Sequence, residues 1–203
     1  LARGLDRPEL KDLTLYLQDT TVGDNFAIAF GASLRACHKL EKAQLGLYNT
    51  KITDVGGEPL ARGLDRPELK DLTLYLQDTA VGDNFAIALG SSLRACDKLE
   101  KAQLVLYNTK LSDVGGEALA SGLDRPHLQD LDLRIRDTEV ADLTGVSLGR
   151  ALSKCPGMLK LHLELGSSKM ADASGSALGQ ALQTCGKITN ATIMLHNTKI
   201  TDV

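Results

Sequence analysis

The chain has 203 residues, 43% hydrophobic and 24% charged, with 23 Lys and Arg against 26 Asp and Glu for a formal net charge of −3. Its basic residues are scattered along the whole length, which argues against nucleic acid as a partner. No apolar run approaches the roughly 20 residues of a membrane span and no signal-peptide pattern opens the chain, so an intracellular, cytoplasmic protein without membrane contact is expected.

Internal repetition organises the rest. Residues 1–20 (LARGLDRPELKDLTLYLQDT) recur letter for letter at 60–79, and a diverged copy begins at Leu119. Each long repeat splits into two units. Residues 1–9 complete an earlier unit, and successive units start at Leu10, Leu40, Leu69, Leu99, Leu128, Met158 and Ile188. A single array over residues 1–203 is expected. Because the chain opens and closes inside a unit, it is expected to be part of a longer array.

Each unit opens with alternating apolar residues, as in Leu13, Leu15 and Leu17, or Leu131, Leu133 and Ile135. That pattern predicts a strand with one buried face. A turn follows in which Asp or Asn precedes Thr, from Asp19-Thr20 to Asn197-Thr198; Ser167-Ser168 departs from it but keeps the hydroxyls. Four residues after each Thr stands an Asp, from Asp24 through Asp202, in the place of a helix N-cap. Apolar and small residues at helical spacing, such as Ala27, Phe30, Leu34 and Cys37, then predict a helix of about three turns. Strands separated by crossover helices must pair in parallel. The units therefore stack with strands on a concave side and helices on a convex side.

Cys37, Cys96, Cys155 and Cys185 each stand three residues before a unit start. They read as small buried residues at helix ends. Only Cys155 and Cys185 occupy adjacent units, which disfavours disulfides, and no Cys or His spacing points to a metal. A reducing compartment fits that reading.

The pattern LxLxLxxTxI followed by DxxxxxLxxxLxxC resembles the leucine-rich repeat of the ribonuclease-inhibitor type, with Thr where that family usually carries Asn or Cys. Units of 29–30 residues most resemble the long arrays of single-celled eukaryotes. The resemblance covers essentially the whole chain and implies an α/β horseshoe solenoid. Members of the family mostly bind proteins, and some act as sensors or regulate small GTPases. Whether Thr or Asn forms the family's polar ladder stays open.

Strand alternation sets three columns of side chains on the concave face. One holds Thr14, Gln44, Thr73, Gln103, Asp132, His162 and Thr192; the next holds Tyr16, Gly46, Tyr75, Val105, Arg134, Glu164 and Met194; the third holds Gln18, Tyr48, Gln77, Tyr107, Arg136, Gly166 and His196. All four tyrosines of the chain fall here. Duplication explains the pairs at the long spacing, but not why Tyr occurs in both unit types. Tyr is rigid, large and amphipathic, and concentrates at binding hot spots. The later units present Asp132, Arg134, Arg136, His162, Glu164 and His196 instead, and cross-strand ion pairs are expected between Asp132 and His162 and between Arg134 and Glu164. His162 and His196 stand too far apart along the strand direction to share a metal.

The expected function is a protein–protein interaction module or scaffold that holds a protein or peptide through Tyr16, Tyr48, Tyr75, Tyr107, Arg134, Arg136, His162, Glu164 and His196. The alternative is a regulatory or sensor arm of a larger protein, such as a small-GTPase activator. No phosphate loop, nucleophile elbow or HExxH sequence occurs, so neither enzymatic activity nor a cofactor is expected.

Overall fold

The structure, a computed structural model, describes residues 2–201. Seven strands, β1 (Asp12–Tyr16), β2 (Lys42–Gly46), β3 (Asp71–Tyr75), β4 (Lys101–Val105), β5 (Asp130–Arg134), β6 (Lys160–Glu164) and β7 (Asn190–Met194), form one sheet in sequence order. Every neighbouring pair is parallel, and equivalent residues of successive units face each other. Between the strands run six helices: α1 (Asp24–Leu34), α2 (Asp54–Gly63), α3 (Asp83–Ala95), α4 (Asp113–Gly122), α5 (Asp142–Leu152) and α6 (Asp172–Thr184).

One core runs the length of the array between sheet and helices. The inward residues of β2 to β6, such as Leu72 and Leu74 or Leu131 and Leu133, are buried against helix residues such as Leu89 and Leu93. Helices approach through glycines: a Cβ on Gly31 would overlap the carbonyl of Pro59, and one on Gly90 the carbonyl of Ala118. Adjacent helices therefore follow the close spacing that the strand ladder imposes beneath them.

The turn after each strand is built the same way seven times. Asp19, Asn49, Asp78, Asn108, Asp137, Ser167 and Asn197 all take positive φ, between 50° and 58°. Asp and Asn tolerate the left-handed region better than other side chains, which accounts for their recurrence. The next residue closes the turn: the hydroxyl of Thr50 donates to the Leu47 carbonyl at 2.7 Å, that of Thr79 to Leu76 at 2.6 Å, and Ser168 does the same to Leu165 at 2.7 Å. The Thr column thus bonds within its own unit. Asn49 Nδ2 donates back to Asp19 Oδ1, and Asn108 Nδ2 to Asp78 Oδ1, each at 2.7 Å, joining units only in pairs.

Continuous linkage comes from the Asp column, and here the expectation of a simple N-cap is corrected. The N-cap residues are Gly23, Thr53, Gly82, Ser112, Ala141 and Ala171; the Asp follows as the first helical residue. Its carboxylate reaches sideways and caps the helix of the next unit. Asp83 Oδ1 accepts from Ser112 N at 2.8 Å and Gly115 N at 3.0 Å, while Oδ2 accepts from the Ser112 hydroxyl at 2.6 Å. Asp24 does the same for Thr53 and Gly56, and Asp54 accepts from Gly82 and Phe85. Asp113 serves Ala141 and Thr144, Asp142 serves Ala171 and Ser174, and Asp172 serves Thr201. Asp202 lies outside the described residues. Each carboxylate satisfies orphan N–H groups and sits at the positive end of a neighbouring helix.

A second ladder serves the opposite helix ends. The thiols of Cys96 and Cys155 donate to the carbonyls of Leu64 and Leu123 at 3.4 Å, and Cys185 to Leu152 at 3.3 Å. In the alternate units an arginine replaces the cysteine: Arg66 donates to Leu34 O at 2.7 Å and Arg125 to Arg94 O at 2.7 Å. All four cysteines are buried and free. Burial pushes the Cys96 thiol up to about 11, which leaves it protonated and unreactive at neutral pH.

The Asp83→Ala variant is expected to lose about 1–2 kcal/mol of stability, read as a lowered urea midpoint with an unchanged slope; no change would remove the carboxylate from the account of inter-unit coupling. Burial raises the Asp113 pKa, but the Thr144 hydroxyl and the backbone N–H groups of Ala141 and Thr144 outweigh it and hold the carboxyl below its ordinary value. Asp142 is lowered in the same way by Ser174 and Ala171. A carboxyl lowered in the folded state contributes fully above the unfolded value of about 3.9 and loses that contribution as pH falls through the folded value. Stability should therefore fall below about pH 4, and less steeply in the Asp113→Ala, Asp142→Ala double variant.

Candidate functional site

With the apolar side of each strand in the core, the other side forms an open face whose columns follow the strand register. Thr14, Gln44, Thr73, Gln103, Asp132, His162 and Thr192 are consecutive cross-strand partners, as are Tyr16, Gly46, Tyr75, Val105, Arg134, Glu164 and Met194. Main-chain bonds such as Leu47 N to Tyr75 O and Asn49 N to Gln77 O extend the ladder past the strands and bring the third column alongside.

The first four units carry the tyrosines. Tyr16 is the most exposed at 46%, and Tyr48, Tyr75 and Tyr107 are half-buried. The Tyr16 ring leans across the backbone of Gly46, where an added Cβ would overlap it, and its hydroxyl accepts from Gln44 Nε2. Tyr75 donates to Gln103 Oε1 at 3.1 Å. Burial, with Tyr16 and Asp132 nearby, raises the Tyr75 phenol above its ordinary value, so it stays a neutral donor. Val105 is only 3% exposed although it faces outward and lies outside the main core cluster. Gln77, between Tyr48 and Tyr107 in the third column, is 8% exposed. The side-chain oxygens of Gln77 and Gln18 are shielded from solvent and have no hydrogen-bond partner.

From β5 onward the face is a charged lattice. Arg134 clasps Asp132 through Nε at 2.9 Å and Nη2 at 3.0 Å, and reaches Glu164 at 3.3 Å. Glu164 also meets Arg136 at 3.4 Å and His162 Nε2 at 3.1 Å. The Arg134–Glu164 cross-strand pair is therefore present. Asp132 and His162 are register partners but do not bond to each other: Asp132 takes Arg134 and Gln103, while His162 takes Glu164. Arginine, with its longer reach and forked donors, wins the aspartate. Arg136 additionally lies 4.2 Å above the Tyr107 ring centroid, joining the two halves by a cation–π contact. His196 is exposed and its ring lies against Gly166, apart from the Glu164 network.

The strand-entry rim is self-neutralising. Asp12, Lys42, Asp71, Lys101, Asp130 and Lys160 alternate in sign along one register row. Lys42 pairs with Asp71 at 3.3 Å, and Glu41 in the row beside it pairs with Lys70 at 2.7 Å and Lys11 at 3.5 Å. Between this rim and the tyrosines lies a shallow cavity of about 270 Å³ lined by Asp71, Thr73, Lys101, Gln103, Asp130 and Asp132. A larger hollow of about 680 Å³ lies on the helix side, against α1 at Asn25, Ile28 and Ala32. Among the described residues no three His, Cys, Asp or Glu side chains converge as a metal site, and no helix is long and apolar enough to cross a membrane.

Sequence reasoning missed the Gly46 seat for Tyr16, the buried amide of Gln77 and the Arg136–Tyr107 stack. Gly46 alone carried a signal, as the single residue without a side chain among the first four positions of its column.

No family model and no curated protein matches the chain. Among solved structures it is similar to an internalin (inlF) from Listeria monocytogenes, at a TM-score of 0.55 and 17% identity over 96% of this chain. The chain spans 44% of that internalin's length. A second Listeria monocytogenes internalin aligns at a TM-score of 0.49 and 18% identity, covering 97% of this chain and 75% of its own. Leiomodin-1 actin-binding site 2 aligns at 0.48 and 12%, covering 92% and 84%. The architecture is that of a leucine-rich-repeat solenoid with a parallel sheet, and the likeness to inlF is one of fold.

Glu164→Gln leaves two arginines facing a neutral amide. It is expected to destabilise by about 1 kcal/mol, seen as a lower thermal midpoint that rising salt partly restores; an unchanged midpoint would show the lattice to be solvated charge without structural weight.

Proposed function

We propose that the chain is a protein-binding module or scaffold whose concave sheet face grips a partner protein or peptide. The observation that carries this reading is the placement of all four tyrosines on the open face across four consecutive units, with none in the core cluster of the described residues. A solenoid core is complete without them, so their burden is outside stability. Rigid phenol rings with a polar tip bury much area at small entropic cost.

The lattice of Asp132, Arg134, Arg136, His162 and Glu164 supplies an adjoining charged surface, with His196 beyond it. Its groups are held by one another at set positions, which suits recognition of complementary charge and orientation of a bound partner. The same reading assigns no catalytic role to these carboxylates and imidazoles. It places the repeats with the ribonuclease-inhibitor-like type, in units of 29–30 residues, and the protein in the cytoplasm, where its four thiols stay reduced.

Replacing Tyr16, Tyr48, Tyr75 and Tyr107 together by Ala is expected to weaken partner capture at least about a hundredfold while moving the thermal midpoint little. Affinity capture followed by mass spectrometry, with unfolding followed by circular dichroism, checks both. Undiminished capture by a folded variant would remove the basis of the reading.

A further inference from the structure

The tyrosine half has a spacing and a chemistry that select one kind of partner. Tyr16 and Tyr75 stand two strands apart in one column, and Tyr48 and Tyr107 two strands apart in the next. Two strand steps amount to about 9.4–9.8 Å. A polyproline II helix repeats every three residues at about 3.1 Å each, so one turn advances about 9.3 Å. An α-helical turn of about 5.4 Å and a two-residue β repeat of about 6.6 Å both fall out of step with that period. A polyproline II ligand lying across the strands would therefore present the same side of each turn to the same tyrosine environment.

In the first four units the three columns of side chains include no charged group, and the charge on that face is confined to the strand-entry row of Asp12, Lys42, Asp71 and Lys101, which alternates in sign. Within those columns charge begins at β5, where Asp132 and Arg134 are already clasped to each other. The floor beside Tyr75 is the buried Val105, and flat apolar rings seat well between phenol walls. The floor between Tyr48 and Tyr107 is Gln77, whose side-chain oxygen is unpaired, as is that of Gln18 two units earlier. Polyproline II leaves its backbone N–H and C=O groups without internal partners. A non-proline residue at every third position would offer one N–H per pair of units, in step with Gln18 and Gln77, and a turn of each amide would accept it.

We propose that the Tyr16–Tyr107 half of the sheet face binds an uncharged, proline-rich segment in the polyproline II conformation, laid across the strands with one ligand turn per two units. This rests on the protein-binding role of the face and names the chemistry of the partner. The ligand is already extended before binding, and Tyr16 and Tyr75 are already held by Gly46 and Gln103, so little conformational freedom is lost on association.

The probe is a fluorescein-labelled peptide of four Pro-Pro-Ser triplets, followed by anisotropy against the full chain. Saturable binding is expected, about tenfold tighter than for four Gly-Gly-Ser or four Pro-Pro-Glu triplets. Tyr75→Ala and Tyr107→Ala should each weaken it about tenfold, and Val55→Ser on the helix side should not. Because a misfolded variant would show the same loss, the unaltered protein is also followed by NMR, where the Gln18 and Gln77 side-chain amide signals should shift on titration. Absence of saturable binding, equal binding of the glycine peptide, or binding indifferent to both tyrosine variants would overturn the proposal. So would competition won by an uncharged oligosaccharide such as cellohexaose in place of the peptide. If the peptide fails while the four-tyrosine variant still loses its natural partner, only the proline-rich assignment falls; if that variant keeps its partner, the binding role falls with it.

Discussion

One hydrogen-bonded contact makes this molecule an array: the carboxylate at the first position of each helix, bonded to the backbone N–H groups that open the next helix. Four of the six helices have no side-chain cap of their own, since the N-cap positions of α1, α3, α5 and α6 bear Gly or Ala. From α2 to α6 each helix start takes an acceptor from the unit before it. Where the N-cap side chain does carry a hydroxyl, at Thr53 and Ser112, the residue three further on is a glycine that lets the carboxylate approach. Where the N-cap is Ala, a hydroxyl at Thr144 or Ser174 supplies the extra bond instead. The two solutions hold the same geometry, so the register persists through a sequence that has diverged.

That constraint leaves the sheet face free. Strand spacing is set by the main-chain ladder, helix spacing by glycine contacts, and unit spacing by the Asp and Cys/Arg ladders. No outward strand residue is needed for any of them. Side chains on that face can thus vary from tyrosine and glutamine in the early units to arginine and glutamate in the later ones without disturbing the core. The two halves meet where Arg136 stacks on Tyr107 and where Gln103 donates to Asp132.

Much of this was legible in the residues. Period-2 alternation placed every strand, since the inward Leu residues have nowhere to go but the core, and the same alternation placed all four tyrosines outside. The recurring Asp was legible as a helix-start residue, but its partner was not: an N-cap is a local pattern, whereas Asp83 acts on Ser112 and Gly115 in another unit. The pairing of Asp132 was misjudged for a similar reason, because register gives neighbours but not reach, and Arg134 reaches it within its own strand. Nothing in the sequence singled out Gln77, which is buried at its place in the third column between Tyr48 and Tyr107.

Hydroxyl-radical footprinting of the chain, free and bound to its captured partner, tests most directly whether the open sheet face is where binding happens, since tyrosine oxidation reports side-chain exposure. Tyr16, Tyr48, Tyr75 and Tyr107 should be oxidised in the free chain and shielded in the complex, while the exposed helix residues Val55 and Val114 react equally in both. Shielding confined to Val55 and Val114, with the tyrosines unchanged, would place the contact on the opposite side and contradict the account.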